Sequence, residues 1–148
     1  MTSPRQFQFR LQSEHQHPGG TSSDLTVQWL NPEGSWEPQQ LSLTMPGFRI
    51  YLISLLLCQH HYLVANALER ELPLQRVETE FGVTAADNWI LQSVRGRFRV
   101  ILNVADGTGQ SPQVAQTDLD YIKERMQACP VSRNLPPGVD KFTAVDVT

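Results

Sequence analysis

The feature that most restricts what this chain can become is an apolar run from Phe48 through Leu57, opened at Pro46-Gly47. A mixed stretch carries it on to Leu72, and Pro73 follows. Proline near a helix start loses nothing, because the first amides have no intrahelical partner, and proline beyond the last turn forbids continuation. The pattern predicts one helix of about 25 residues, spanning about 37 Å. Ile50, Tyr51, Leu52, Ile53, Leu55, Leu56 and Leu57 surround its axis, so burial on all sides is expected. A membrane span is the weaker reading. The apolar stretch is about half of the ~20 residues a span needs, and Gln59-His60-His61 would lie in hydrocarbon. From Tyr62 to Glu71 the composition changes, and one face is expected to reach solvent.

The flanking segments read as strands able to cover such a helix. Gln6-Phe7-Gln8-Phe9-Arg10-Leu11 alternates with period two, and Leu25 to Leu30 reads as a second strand after a break from His15 to Ser23 containing Pro18-Gly19-Gly20. Asn31-Pro32-Glu33-Gly34 is a turn by composition, and a third short strand is expected through Gln39 to Leu43. Beyond Pro73, Gln75 to Val83 and Trp89 to Val104 should pair as a hairpin across Thr84 to Asn88. Ala105 to Pro112 reads as a loop. A second, shorter helix is expected to start with Thr117 as N-cap, with Asp120 in the box position. Leu119, Ile122 and Met126 form its stripe, and it ends at Cys129 before Pro130. Phe142 to Val147 alternates again and would close the sheet. The expectation is a single α+β domain over residues 1–148, since a chain of 148 residues supports one core.

Apolar residues make up 40% of the chain and charged residues 18%, so some apolar surface is expected to be shared with a second subunit. The net charge of −3 argues against a polyanion partner. Arg95, Arg97 and Arg99, at a spacing of two, fall on one strand face and read as a solvated or interface surface. Neither nucleic acid nor membrane is expected as a partner. Met1 to Arg10 alternates where a secretory leader would be continuously apolar, so a cytoplasmic location is expected.

In a reducing compartment, Cys58 and Cys129 are either two inert core residues or a reversible redox couple. A buried thiol without a cation nearby is unreactive, so reactivity at Cys58 needs a positive charge or a helix N-terminus beside it. His61 shares a helix face with Cys58, and His15-Gln16-His17 adds two imidazoles. The paired spacings of zinc sites are missing, so no metal and no cofactor is expected, and His61 reads better as a group tuning the Cys58 thiol. Trp29, Trp36 and Trp89 read either as strand-core rings or as the lining of a cleft.

The run Cys129-Pro130-Val131-Ser132-Arg133-Asn134-Leu135 resembles the cysteine motif near the C-terminus of the osmotically inducible protein and organic hydroperoxide resistance (OsmC/Ohr) family. The resemblance extends over most of the chain: N-terminal strands, a Pro-Gly lead into a long cysteine-bearing helix, then Glu69-Arg70-Glu71-Leu72-Pro73-Leu74 passing into Val77-Glu78-Thr79-Glu80. It implies an OsmC-like fold with an antiparallel sheet, a long buried central helix and a second shorter one, in an intertwined homodimer with sites at the subunit interface. It also implies a thiol-dependent peroxidase acting on small organic peroxides. Cys58 would attack the peroxide, Cys129 would close a disulfide with it, and a lipoyl-type or similar dithiol would restore both thiols. The resemblance departs from the family at one point: its catalytic members carry a Glu before the first cysteine that clamps an activating Arg, whereas no acid lies between Met45 and Cys58 here. Arg49 sits about 13 Å up the helix from Cys58, out of reach in the same chain. Arg49 or Arg133 from a partner chain, or His61, would have to replace the missing pair. The alternative is a non-catalytic OsmC-like dimer, a scaffold or small-ligand binder.

Overall fold

The structure, a computed structural model, describes residues 4–16, 22–103 and 113–148. His17, Pro18-Gly19-Gly20, Val104 and the predicted loop from Ala105 to Pro112 lie outside the described residues. The elements are β1 (Arg5–His15), β2 (Ser22–Leu30), β3 (Trp36–Gln39), α1 (Gly47–Glu69), β4 (Leu74–Ala85), β5 (Leu91–Leu102), α2 (Gln116–Gln127), α3 (Pro130–Arg133) and β6 (Asp140–Val147). The strands form one six-stranded sheet in the order β3-β2-β1-β4-β5-β6.

The period-two patterns place one face of each central strand inward. On β1, Phe9, Leu11, Ser13 and His15 are buried while Gln8, Arg10, Gln12 and Glu14 are exposed. On β5, Val94, Phe98 and Val100 are buried and Arg95, Arg97 and Arg99 lie on the open face, with Arg97 across from Glu80 and Arg99 across from Glu78. The buried faces meet α1, whose Leu52, Leu55, Leu56 and Leu63 join Phe9, Phe81 and Phe98 in one core. Each such side chain, fully withdrawn from water, contributes roughly 1.5–3 kcal/mol of transfer free energy.

Several expectations need correction. The sheet is not wholly antiparallel, because β6 runs parallel to β5. The chain leaves the end of β5 and crosses over through α2 and α3, so it re-enters the sheet in the same direction. The third strand forms earlier than its pattern suggested. Asn31 accepts from Gly34 N at 2.9 Å, and its side chain accepts from Ser35 N at 2.9 Å; Gly34 takes φ 86. That tight turn fixes the return register at Trp36 opposite Leu30, leaving Leu41 and Leu43 exposed.

α1 matches its predicted span, but it is not buried all round. Leu52, Ile53, Leu55, Leu56, Gln59, His60, Leu63, Asn66 and Ala67 form a buried stripe, whereas Ile50, Tyr51, Leu57 and Cys58 are half-buried. A single chain has a sheet for one side of the helix and only α2 and α3 for part of the other. Its C-terminus is closed before Pro73 is reached: Glu71 adopts φ 61, Leu72 N donates to Ala67 O and Glu71 N to Leu68 O. That is the doubled 6→1 and 5→2 closure of a Schellman end, with Glu where Gly is usual.

α2 starts two residues earlier than expected. Ala115 occupies the cap position without a side-chain bond, so Thr117 lies within the first turn and the predicted box with Asp120 does not form. It stops at Gln127, and Cys129 belongs to the extended junction before the one-turn α3, which the sequence pattern did not suggest.

Candidate functional site

Cys129 caps α3 with φ −62 and ψ 152, and Pro130 occupies the first helical turn. Pro130 forces its predecessor into extended backbone, which turns the Cys129 side chain out of the line of α2 and into the protein. Its carbonyl accepts from Arg133 N at 2.9 Å, and its own amide donates to Met126 O at 3.2 Å. The residue is 0% exposed. Both cysteines are free thiols, and the Cys129 side chain lies close enough to that of Cys58 for the two to interact. α1 and α3 thus bring together two residues widely separated in sequence.

The two sulfurs differ in environment. Cys58 is half-buried on the side of α1 away from the sheet, while Cys129 is closed off. Burial, followed by its interaction with Cys58, pushes the Cys129 thiol up to about 12, against the opposing pull of the Ser132 and Val131 amides at the start of α3. Low-dielectric surroundings disfavour the thiolate, and the dipoles of one helical turn do not outweigh that. Cys129 therefore holds its proton at neutral pH.

The other residues singled out by the sequence are dispersed. Arg49 is held at the far end of α1, with its guanidinium 4.0 Å above the Trp29 ring and Nη1 donating to Gln39 Oε1 at 3.2 Å. Arg133 is exposed at the end of α3. His61 is exposed and set edge-on to Tyr62, with centroids 5.9 Å apart. The three tryptophans do not form one cleft. Trp29 carries Arg49, Trp36 carries Arg10 at 4.4 Å and Trp89 carries Arg5 at 4.0 Å, and among the described residues no ring contact joins two of them.

Two further groups on α2 and α3 were given no role from the sequence. Arg125 of α2 lies with its guanidinium 6.0 Å from the Tyr62 ring, and Tyr62 stands one turn beyond Cys58 on the same face of α1. Ser132 is buried and its hydroxyl has no hydrogen-bond partner. Nothing in the local pattern marks either one, since both acquire their position from how α2 and α3 pack on α1. Among the described residues no group of three His, Cys, Asp or Glu could hold a metal ion, and no helix is long and apolar enough to cross a membrane.

No protein-family model matches the chain, and no curated protein matches it. Solved structures do. One is described as an osmotic stress induced and detoxification response protein, from Psychrobacter arcticus 273-4. It is 13% identical with a TM-score of 0.54, covering 90% of this chain and 93% of its own. Another is an OsmC-like hydroperoxide resistance protein from Jannaschia sp. CCS1, also 13% identical, with a TM-score of 0.51 over 88% of this chain and 86% of its own. The fold is OsmC-like.

Proposed function

We propose that this OsmC-like chain is a thiol-dependent peroxidase that reduces small organic hydroperoxides through Cys58 and Cys129. The observation that carries the reading is that the packing of α3 on α1 brings the two free thiols close enough to influence each other. Their unequal burial assigns the roles. Cys58, half-exposed, is the sulfur a peroxide reaches. Its thiolate attacks the terminal peroxide oxygen, the O–O bond breaks, and the alkoxide takes a proton and leaves as the alcohol. Cys58 is then a sulfenic acid, oxidised by two electrons. Cys129 condenses with it, forming the S–S bond and releasing water, and a dithiol donor of lipoyl type reduces the disulfide by two exchange steps. The positive field that Cys58 needs comes in this reading from Arg125, the guanidinium lodged over Tyr62, with Arg49 or Arg133 of a second copy as further contributors. A homodimer would cover the half-buried side of α1 and Leu43, which is 103% exposed.

Steady-state reduction of cumene hydroperoxide with dihydrolipoamide, comparing the native chain with Cys58→Ser, tests this. Turnover confined to the native chain supports it; undiminished turnover in the variant removes Cys58 from the mechanism. A second reading, a non-catalytic OsmC-like dimer acting as scaffold or small-ligand binder, is favoured by one observation: Arg49 is occupied by Trp29 and Gln39. It predicts slow alkylation of Cys58 at neutral pH.

A further inference from the structure

On the sheet side of α1 lies a second cluster of titratable groups that the thiol chemistry does not use. Ser13, His15 and His60 are 0%, 7% and 4% exposed. The Ser13 hydroxyl oxygen is 2.8 Å from His15 Nε2 and 2.8 Å from His60 Nε2, and Ser22 Oγ stands 3.4 Å from His15 Nδ1. The two imidazoles lie nearly parallel with centroids 6.2 Å apart. The array links β1, β2 and the middle of α1.

A hydroxyl has one proton to give and two lone pairs to receive. With both rings neutral, Ser13 donates to one Nε2 and accepts from the other, so the hydroxyl and both Nε2 atoms are satisfied. One added proton is still accommodated: the charged ring donates its Nε2–H to Ser13, and Ser13 donates to the neutral ring. A second proton is not. Both Nε2–H groups would then point at the same oxygen, the Ser13 proton would have no acceptor, and two positive charges would face each other in the core.

We propose that the Ser13–His15–His60 array is a proton-counting clamp, which holds α1 to the β1–β2 side of the sheet with at most one proton and releases it when the second arrives. His15 faces His60 from β1 and His61 lies beside it on α1. β4, packed against the helix, turns Leu74, Val77 and Thr79 inward. α2 sets Arg125 at the Tyr62 ring and Asp118 against Arg70, and among the described residues no carboxylate pairs with His60. Burial first, then repulsion from His15 and His61, pushes His60 down from 6.5 to about 4. Its unfolded form takes up a proton below about 6.5 and its folded form does not, so stability present above that pH is lost between about 6.5 and about 4.

The test is acid unfolding of the full chain, with NMR titration of the imidazoles. The unfolding equilibrium constant of the native chain is expected to rise by about 80-fold between pH 6.5 and 4 beyond the carboxylate contribution, with His60 mostly neutral in the folded chain across that range. His60→Gln, which keeps a hydrogen-bonding side chain but no titration, is expected to remove that excess. His15→Gln, which takes away the facing imidazole, is expected to raise the pH at which His60 protonates, and provides the reading if His60→Gln does not fold. Folded His60 titrating near 6.5, an unchanged acid slope in His60→Gln, or an unmoved His60 in His15→Gln would each overturn the clamp.

Discussion

α1 places Cys58 and His60 on nearly opposite sides, and the two neighbourhoods are built to opposite standards. Successive helical residues turn by about 100°, so a separation of two rotates a side chain about 200° around the axis. His60 enters the sheet side, where the clamp's hydroxyl and ring nitrogens find partners within 2.8–3.4 Å. Cys58 points to the other side, where the support is a one-turn helix, a protonated Cys129 and a buried Ser132 hydroxyl bonded to nothing. On the sheet side the shared Ser13 hydroxyl ties α1 to β1, although Gln59 Oε1 and Thr79 Oγ1 are buried there without partners, while the thiol side leaves polar capacity beside sulfur atoms that must change bonding. The same helix therefore serves as anchor and as reactive platform.

The sharpest break in this comparison is Cys58→Ser. On the proposed mechanism it lowers peroxide reduction more than about 1000-fold, the scale of losing a covalent nucleophile, with little change in the melting temperature. An equal loss of activity and folding would mean the thiol side is structural after all.

Next in size is the alkaline limb of stability. Cys129 is raised from 9.0 to about 12 in the folded chain. The unfolded chain releases that proton first, so stability present below about 9 falls as pH climbs toward about 12, by at most about 1.4 kcal/mol per pH unit. Denaturant melts from pH 8 to 11 should show this fall in the native chain and a flatter profile in Cys129→Ala.

Ser13→Ala and Ser132→Ala then set the two sides against each other directly. Removing Ser13 strands two buried ring nitrogens and should cost about 1–3 kcal/mol, whereas removing the Ser132 hydroxyl, which has no partner to strand, should leave stability within about 0.5 kcal/mol or raise it. Comparable losses in urea melts of both variants would erase the contrast. The smallest effect expected is that of Arg125→Ala, which should slow peroxide reduction several-fold while Arg125→Lys restores most of the rate. An unchanged rate would take Arg125 out of the site and leave the Cys58/Cys129 reading standing.

Much of the scaffold was legible because its signals are local. Alternation in Gln6 to Leu11 and in Val94 to Val100 marked strands, and the Pro-bounded apolar run marked α1 within a few residues of its observed Gly47–Glu69. Local signals failed where a neighbour decided. Thr117 has the chemistry of a cap, yet Ala115 takes the position. Gln39 to Leu43 has strand character, yet the turn at Asn31–Gly34 commits the pairing to Trp36 through Gln39. The two cysteines were conspicuous by type. Ser13, His15 and Arg125 were ordinary polar residues until β1 and α2 were laid against α1.

The sequence by itself determined which segments would be strand or helix and that two thiols were present, because periodicity and side-chain chemistry are properties of neighbouring residues. Only the tertiary structure decided that Cys129 meets Cys58, that β6 runs parallel and that His60 shares a hydroxyl with His15. These are meetings between residues far apart along the chain, set by the one packing that buries the inner faces of β1, β4 and β5 against a single stripe of α1.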